Sequence, residues 1–365
     1  MSRPIKLRLF ADALRSNLLV AQKMAPKSKV MAVVKANAYG HGVDFIAESW
    51  IENEPEAYAV ISVDEARELR RHGVKSPIVL LEGLFRSESP AALIEMNLQP
   101  VIHEVGQLSQ LLTMPDLVRE LEFVWLKVDT GMHRLGLEPH ELQRVSQQLR
   151  AAGVKSIGLM THLSSADDLN DPITQKQLMV TAQLAESDEW AALSISNSSG
   201  LVGWSAAHAN WVRPGILLFG ESPFPVTDSR RSAEKLGLKA VMQFESEIIS
   251  IRRIGSGEPL GYGGTWRAPH PMSVGHVAAG YGDGYPRNAL TGTPIRVDGI
   301  ETITLGRVSM DSIAVDLSPI PDPKIGSTVE LWGQNLPVAR VAESAGTIPY
   351  ELLCGVTGRV PRVFE

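Results

Sequence analysis

Eight times over roughly the first 220 residues, a short β-branched run is followed by an amphipathic helical pattern, and few folds satisfy that alternation. Strands are expected near 29–35, 57–61, 77–81, 99–102, 123–128, 157–162, 193–196 and 209–213. The clearest helices between them are 43–52, 63–72 (closed by Gly73), 139–152 and 171–185. Ahead of the first of these strands, Asp12 is placed to cap a helix carrying Leu14, Leu18 and Leu19, which Pro26 stops. Eight parallel strands with covering helices make a closed β/α barrel of the TIM type, whose usual size is about 250 residues. An open, doubly wound sheet has the same local rhythm, since periodicity by itself does not close a sheet.

After about residue 235 the rhythm changes. The runs 241–251, 274–279, 295–297, 302–305, 313–317 and 329–332 read as strands separated by Gly, Pro and Asp turns, and only 337–345 looks helical. The expected organisation is a β/α barrel over residues 1–233 and a C-terminal mainly-β domain over 234–365, joined through the polar, Pro-containing stretch 221–235. A chain with 44% hydrophobic and 21% charged residues can bury a sizeable core, which excludes a disordered or fibrous protein. A net charge of −6 without any basic stripe gives no footing for nucleic acid or a membrane surface. Cys354 is the single cysteine, so neither an internal disulfide nor a Cys-rich metal site is expected. No apolar run reaches the ~18 residues of a membrane span, and the first twenty residues carry scattered charges in place of a signal-peptide core. A soluble, cytoplasmic protein is expected.

In a β/α barrel the chemistry sits at the carboxyl ends of the strands. Here the first strand ends in Lys35, Asn37 and Tyr39, the fifth leads to Arg134, and the sixth ends at Thr161 and His162. The seventh ends at Asn197, Ser198, Ser199 and Gly200, and the eighth at Arg213, Pro214 and Gly215. Each side chain also has a purely structural use. Lys35 could snorkel from a strand end, although an ammonium after five apolar residues is costly unless paired or used. His162 alone reads as a core histidine, and Arg134 and Arg213 as ion-pair partners. The turn 197–200 could be only a loop, though its N–H groups suit a phosphate. Taken together, a lysine poised for a Schiff base, a phosphate-sized nest and cationic neighbours point to pyridoxal phosphate. The glycine pairs at 261–263 and 280–282 lie among strands with no following helix, so they are not dinucleotide fingerprints. The histidines lack metal-ligand spacing, and no metal is expected.

The segment AVVKANAYGHG at 32–42 closely resembles the pyridoxal-phosphate attachment signature of alanine racemases. The likeness continues through KVDTGMHRLG at 127–136, TH at 161–162, NS at 197–198 and VRPG at 212–215. In the second half it includes GYGG at 261–264, GYGDGYPR at 280–287, GRVSMD at 306–311 and IPYE at 348–351. That family folds as a barrel followed by a β-domain. Its active form is a homodimer in which each site joins one barrel to the partner's β-domain. The resemblance implies that Lys35 carries the cofactor and serves as one catalytic base, while Tyr262 from the other subunit is the opposite base. It implies that His162 lies by the cofactor ring and tunes that tyrosine, that Arg213 hydrogen-bonds the pyridine nitrogen, and that Arg134 contacts the ring hydroxyl and the substrate. Tyr39, Asn197, Ser198, Gly215, Ile216 and Tyr350 are implied to bind the cofactor, chiefly at its phosphate. Met310 would offer its backbone N–H to the substrate carboxylate. Tyr281 and Tyr350 would narrow the entrance, with Asp167, Arg287 and Arg307 along the approach.

The implied activity is interconversion of L- and D-alanine, serving peptidoglycan synthesis or alanine breakdown with the same residues. Taking a proton from one face of Cα and returning one on the other needs two bases. Lysine and tyrosine titrate unperturbed at about 10, so both need tuning toward operating pH, for which Arg134 is a nearby cation. An arginine opposite the pyridine nitrogen cannot take its proton at ordinary pH, which limits stray transamination at some cost in carbanion stabilisation. Three positions depart from the pattern or leave it open. Ser309 stands where some relatives carry cysteine, and Ser165 where others carry alanine. Lys127 corresponds to a lysine that is carbamylated in some members; an unmodified lysine paired to a carboxylate is the other reading. Alternatives are a broad-specificity racemase of the same fold, a decarboxylase of basic amino acids, and a non-catalytic pyridoxal-phosphate carrier. The decarboxylase would want an acidic cluster, and the single-barrel carriers lack a second domain.

Overall fold

The computed structural model describes residues 3–186 and 190–365. After strand β1 (Lys6–Leu9) come β2 (Lys29–Val33), β3 (Ala57–Val60), β4 (Ile78–Leu80), β5 (Leu98–Ile102), β6 (Phe123–Lys127), β7 (Ser156–Met160), β8 (Ala192–Ser194) and β9 (Trp211–Val212). Strands β2 to β9 pair in parallel in chain order and close into a barrel, with Lys29 opposite Trp211 and Val30 opposite Val212 at the seam. That closure excludes the open sheet. The barrel strands are short and almost wholly buried, as in a parallel sheet covered by helices.

Local signals start the helices between them. The Ser62 hydroxyl accepts the Glu65 N–H to open the helix Val63–Arg71, whose first turn is acidic and last turn basic. Asp171 caps Pro172–Ala185 in the same way, with proline in its first turn. Asp12 does not cap. The helix Ala11–Met24 starts directly where β1 ends, so Phe10 takes the cap position and Asp12 sits inside the first turn, 2.7 Å from Arg15.

The second unit contains β10 (Met242–Ile254), the small hairpin β11 (Pro259–Leu260) and β12 (Trp266–Arg267), then β13 (Met272–Val277), β14 (Pro294–Val297), β15 (Ile300–Leu305), β16 (Ile313–Asp316), β17 (Thr328–Trp332) and β18 (Arg362–Phe364). Strand β10 is long enough to serve two sets of neighbours. Its first part pairs with β1 and β17, and its second part with β13, across an irregularity between Ile248 and Ser250. The order β10-β13-β16-β15-β14-β17 thereby closes into a second ring, which β1 and β18 extend.

Two expectations are corrected here. Residues 6–9 do not belong with the barrel of 1–233, because Lys6–Leu9 lies between β10 and β18 in the second sheet. Residues 1–2 of that span lie outside the described residues. The expected helix 337–345 is Val338–Ser344, but a second one, Pro349–Gly355, follows it, opened by a proline in its first turn.

Buried side chains of both units, among them Leu14, Phe219, Phe244 and Trp332, form one continuous apolar core. Asn17, fully buried, stitches the seam: its amide donates to the carbonyls of Leu218 and Lys239, and its oxygen accepts the Lys239 N–H. Among the described residues, no helix is long and apolar enough to cross a membrane.

Candidate active site

At the carboxyl ends of the barrel strands lies a cavity of ≈ 440 Å³. Lys35, Tyr39, Lys127, Arg134 and His162 line it, as do Asn197, Ser198, Arg213, Gly215 and Ile216. Tyr350 and Cys354 reach it from the helix Pro349–Gly355 of the second unit.

Immediately past Lys35 the backbone changes hand. Ala36, Asn37, Ala38 and Tyr39 have φ of 54°, 52°, 54° and 51°, a turn of left-handed helix built without glycine. Left-handed geometry costs roughly 1–2 kcal/mol per residue, so the turn persists only because its surroundings over-determine it. The Ala36 N–H donates to Glu65 Oε1 at 2.7 Å, and the Val43 N–H to Asn37 Oδ1 at 3.0 Å. His41 Nδ1 lies 3.0 Å from the carbonyl oxygens of both Ala38 and Tyr39, so it carries the proton and donates. Burial pulls the His41 pKa down to about 4, which keeps the ring neutral. Gly40 ends the turn at φ 79°, and a side chain there would collide with the Leu353 carbonyl oxygen, so this glycine also sets how closely the second unit approaches.

Arg213, at the end of β9, is 4% exposed. Its guanidinium donates to Ser194 Oγ at 2.6 Å, to the Thr161 carbonyl at 2.5 Å and to the Ile195 carbonyl at 3.2 Å. Burial lowers its pKa to about 10, which leaves it a fixed cation at neutral pH. A guanidinium only donates, so His162 Nδ1, 3.4 Å away, accepts and the ring proton sits on Nε2. Burial, then the charge of Arg213, holds the His162 pKa well below the usual histidine range. Lys127 ends β6, and burial followed by the charges of Arg213 and Arg134 lowers it to about 8. The opposing influence is the charge of Glu82, which raises the Lys127 pKa and is outweighed.

A further part of the lining is a cradle formed by Tyr39, Asn197, Ser198 and Gly215. Asn197 caps the short helix Ser198–Gly203 by accepting the Gly200 N–H at 2.9 Å, and its amide donates to the Leu163 carbonyl. Ser198 Oγ accepts the Gly215 N–H at 2.9 Å, which ties this helix start to the 3₁₀ turn Ile216–Phe219. A β-carbon on Gly215 would overlap the Tyr39 hydroxyl and lie 3.0 Å from its Cζ. Burial pushes the Tyr39 phenol up, so it remains a protonated donor. The Tyr39 and Ser198 hydroxyls, a lysine amine and a buried guanidinium lining one cavity fit a phosphate-bearing pyridine aldehyde.

Not every sequence candidate joins this cavity. Tyr262, Met310 and Tyr281 do not line it, and they are 68%, 51% and 39% exposed. Tyr281 and Met310 adjoin each other, the Tyr281 N–H donating to the Ser309 carbonyl and the Gly282 N–H to that of Met310. Arg287 and Arg307 line a separate hollow beside Trp266. Asp167 lies near Tyr350, whose phenol is pushed up by burial and then by that carboxylate. A single chain therefore gathers Lys35, Arg213 and Ser198 around one cavity and leaves Tyr262, Tyr281 and Met310 outside it.

Comparison with known proteins decides the kinship. One sequence-family model, alanine racemase N-terminal domain, matches residues 10–223, and a second, alanine racemase C-terminal domain, matches 241–364. The chain belongs to the alanine racemase family. An alanine racemase from Pseudomonas entomophila (strain L48) is 44% identical over 360 residues, 98% of each chain. The crystal structure of biosynthetic alanine racemase from Pseudomonas aeruginosa superposes with a TM-score of 0.94 at 40% identity, covering 100% of this chain and 99% of that one. The crystal structure of alanine racemase from Bartonella henselae with covalently bound pyridoxal phosphate has a TM-score of 0.89 at 27% identity over 99% of both chains.

Three residues around the alanine racemase cavity were not among the sequence candidates. Glu82 lines it just past β4, where the strand-end rule would have found it. Cys354 lies on the unanticipated helix Pro349–Gly355. Glu65 does not line the cavity but accepts the Ala36 N–H from the helix Val63–Arg71, and nothing in its sequence neighbourhood signals that.

Proposed function

We propose that this chain is a pyridoxal-phosphate-dependent alanine racemase, active as a cytoplasmic homodimer with composite sites. The observation that carries the reading is that Lys35, the Ser198–Gly215 cradle and the buried Arg213 share one cavity, in a chain of this family. When bound, the cofactor supplies an electron-withdrawing ring joined to the amino-acid nitrogen, which acidifies Cα. Lys35 Nζ holds or moves the proton on one face of Cα, and Tyr262 Oη of a second copy does so on the other. The outward position of Tyr262, Met310 and Tyr281 supports that contribution from a second copy. It also supports a division of labour, the barrel carrying the lysine and the second unit carrying the second base and the gate.

Neutral His162, its proton on Nε2, is suited to donate a hydrogen bond to the Tyr262 oxygen and favour its ionised form. Arg213, fixed by three oxygens, offers the ring nitrogen a donor and no place to leave a proton. Tyr39, Asn197, Ser198, Gly215, Ile216 and Tyr350 would hold the phosphate end. Arg134 would meet the ring hydroxyl and the substrate, the Met310 N–H the substrate carboxylate, and Tyr281 with Tyr350 would restrict the entrance. Lys127 is suited to carbamylation. Its lowered pKa leaves a fraction of neutral amine, whose nitrogen bonds to the carbon of CO2 while its proton passes to water, and the carbamate would give Arg134 an anionic partner. The D-alanine formed would supply peptidoglycan, and the reverse direction would feed alanine breakdown.

The test is chirally resolved conversion of L-alanine by the purified protein with pyridoxal phosphate, with Lys35→Ala beside it and serine, lysine and arginine as competing substrates. Turnover confined to alanine and lost in Lys35→Ala is expected. Equal turnover of the larger amino acids would make it a broad-specificity racemase, and a cofactor-loaded protein without turnover would make it a carrier.

A further inference from the structure

The left-handed turn that follows Lys35 raises the question of what sets its hand. Lys35 itself does not have a positive φ, whereas Ala36 does, so the reversal falls on the peptide joining the two. Inside the turn, backbone bonds run from Ala38 N–H to the Val34 carbonyl and from Gly40 N–H to the Ala36 carbonyl. Such bonds close a turn of either hand. The N–H of Ala36 goes instead to a side chain from the neighbouring barrel unit, Glu65 Oε1 at 2.7 Å.

The other oxygen of that carboxylate, Oε2, accepts the Ile61 N–H at 3.0 Å, just past β3. Glu65 stands at the third position of the helix Val63–Arg71, where a glutamate commonly folds back onto the N–H of its own cap residue. Here the cap is made by the Ser62 hydroxyl alone, and the carboxylate is diverted to bridge the ends of two barrel strands. Because Glu65 is rooted in a helix, its oxygen fixes where the Lys35–Ala36 peptide points. Lys35 and Tyr39, at the two ends of the left-handed run, then line the same cavity.

We propose that Glu65 is a positioning residue for Lys35: its carboxylate holds the peptide at which the backbone reverses hand, and so aims the lysine amine and the Tyr39 ring into one cavity. The proposal rests on the reading of Lys35 as the cofactor lysine. It assigns Glu65 no contact with substrate or cofactor.

The experiment follows covalent uptake of pyridoxal phosphate by the apoprotein, trapped by borohydride at timed intervals and read by intact mass, with the melting temperature of each apoprotein recorded alongside. Glu65→Gln keeps the size of the side chain but can accept only one of the two N–H groups. It is expected to slow uptake about tenfold or more, since small misplacements of a reacting group are that costly. The decisive variant is Glu65→Gln combined with Ala36→Gly. Glycine adopts the left-handed conformation without a β-carbon penalty, so it is expected to recover a large part of the lost rate, which a role limited to starting the helix would not explain. Uptake by Glu65→Gln within twofold of wild type, or slowed uptake that Ala36→Gly does not relieve, overturns the proposal. If Glu65→Gln does not fold, Glu65→Asp, with the charge kept and the reach shortened, takes its place under the same criteria. Lys35→Ala is run in parallel. Covalent uptake there would overturn the cofactor-lysine reading itself, whereas fast uptake in Glu65→Gln with none in Lys35→Ala would overturn only the role of Glu65.

Discussion

Between the α-carbon of Gly215 and the hydroxyl of Tyr39 there is no room for a methyl group. The same glycine gives its N–H to Ser198, so this one residue bears on two of the groups that shape the anion cradle. Gly215→Ala is expected to push the Tyr39 ring aside and weaken pyridoxal-phosphate binding by about tenfold, as over-packing does in a close-fitted site. Removing the obstructing oxygen in Gly215→Ala/Tyr39→Phe should recover part of that loss. Absorbance titration of the apoproteins measures both. Unchanged binding in Gly215→Ala would mean that the cradle is not the cofactor's anchor.

Arg213 is held by three oxygens that a carboxylate could not satisfy. Arg213→Glu should therefore lower the stability of the fold, by roughly 1–3 kcal/mol for each buried oxygen left without a donor, read as a lower melting temperature. In the protein that remains folded, an acceptor replaces a donor opposite the ring nitrogen. Pyruvate released from L-alanine, the sign of transamination, is then expected to rise relative to D-alanine formed. A ratio no higher than wild type would contradict the role given to this arginine.

Glu221 is 5% exposed at the seam between the two units, packed near Phe219, Met242 and Trp332, with the Val338 N–H as a backbone donor. Burial raises its pKa from 4.5 to about 8. The folded chain thus keeps a proton that the unfolded chain gives up, and stability falls as pH rises through that window. Glu221→Gln lacks the effect, so its stability relative to wild type should increase between pH 5 and pH 8 by at most a few kcal/mol, at about 1.4 kcal/mol per pH unit. Urea denaturation of both proteins at several pH values checks it, and a pH-independent difference would mean that the carboxyl ionises as it does in water.

Lys127 provides a chemical prediction. With its amine lowered to about 8, protein equilibrated with ¹³C-bicarbonate should show a carbamate carbon resonance that is missing in Lys127→Met. A spectrum identical in the two proteins would leave Lys127 as a buried amine.

Much of this was legible in the chain, for physical reasons that also mark where it stopped. Runs such as 57–60 and 78–80 are buried on both faces, so their apolar continuity alone marks barrel strands. The strand-end rule then brought Lys35, His162 and Arg213 to one rim. Strands Lys6–Leu9 and Arg362–Phe364 escaped because they are short and find their pairing across the whole length of the chain. The left-handed turn was hidden because the residues that adopt it, Ala36 to Tyr39, include no glycine, and two of the bonds that hold it involve Glu65 and Arg362, outside the segment. Tyr262 and Met310 could be assigned only through the family likeness, since nothing within one chain brings them to the lysine.

On the proposed function, a racemising site needs Lys35 of one copy and Tyr262 of another. Lys35→Ala and Tyr262→Phe, each inactive alone, should regain D-alanine formation when refolded together. In a two-fold dimer the mixed species has one intact site, so about one quarter of wild-type activity is expected at equal amounts. Failure of the mixture to exceed either variant, with dimers confirmed by sedimentation, would contradict the composite site.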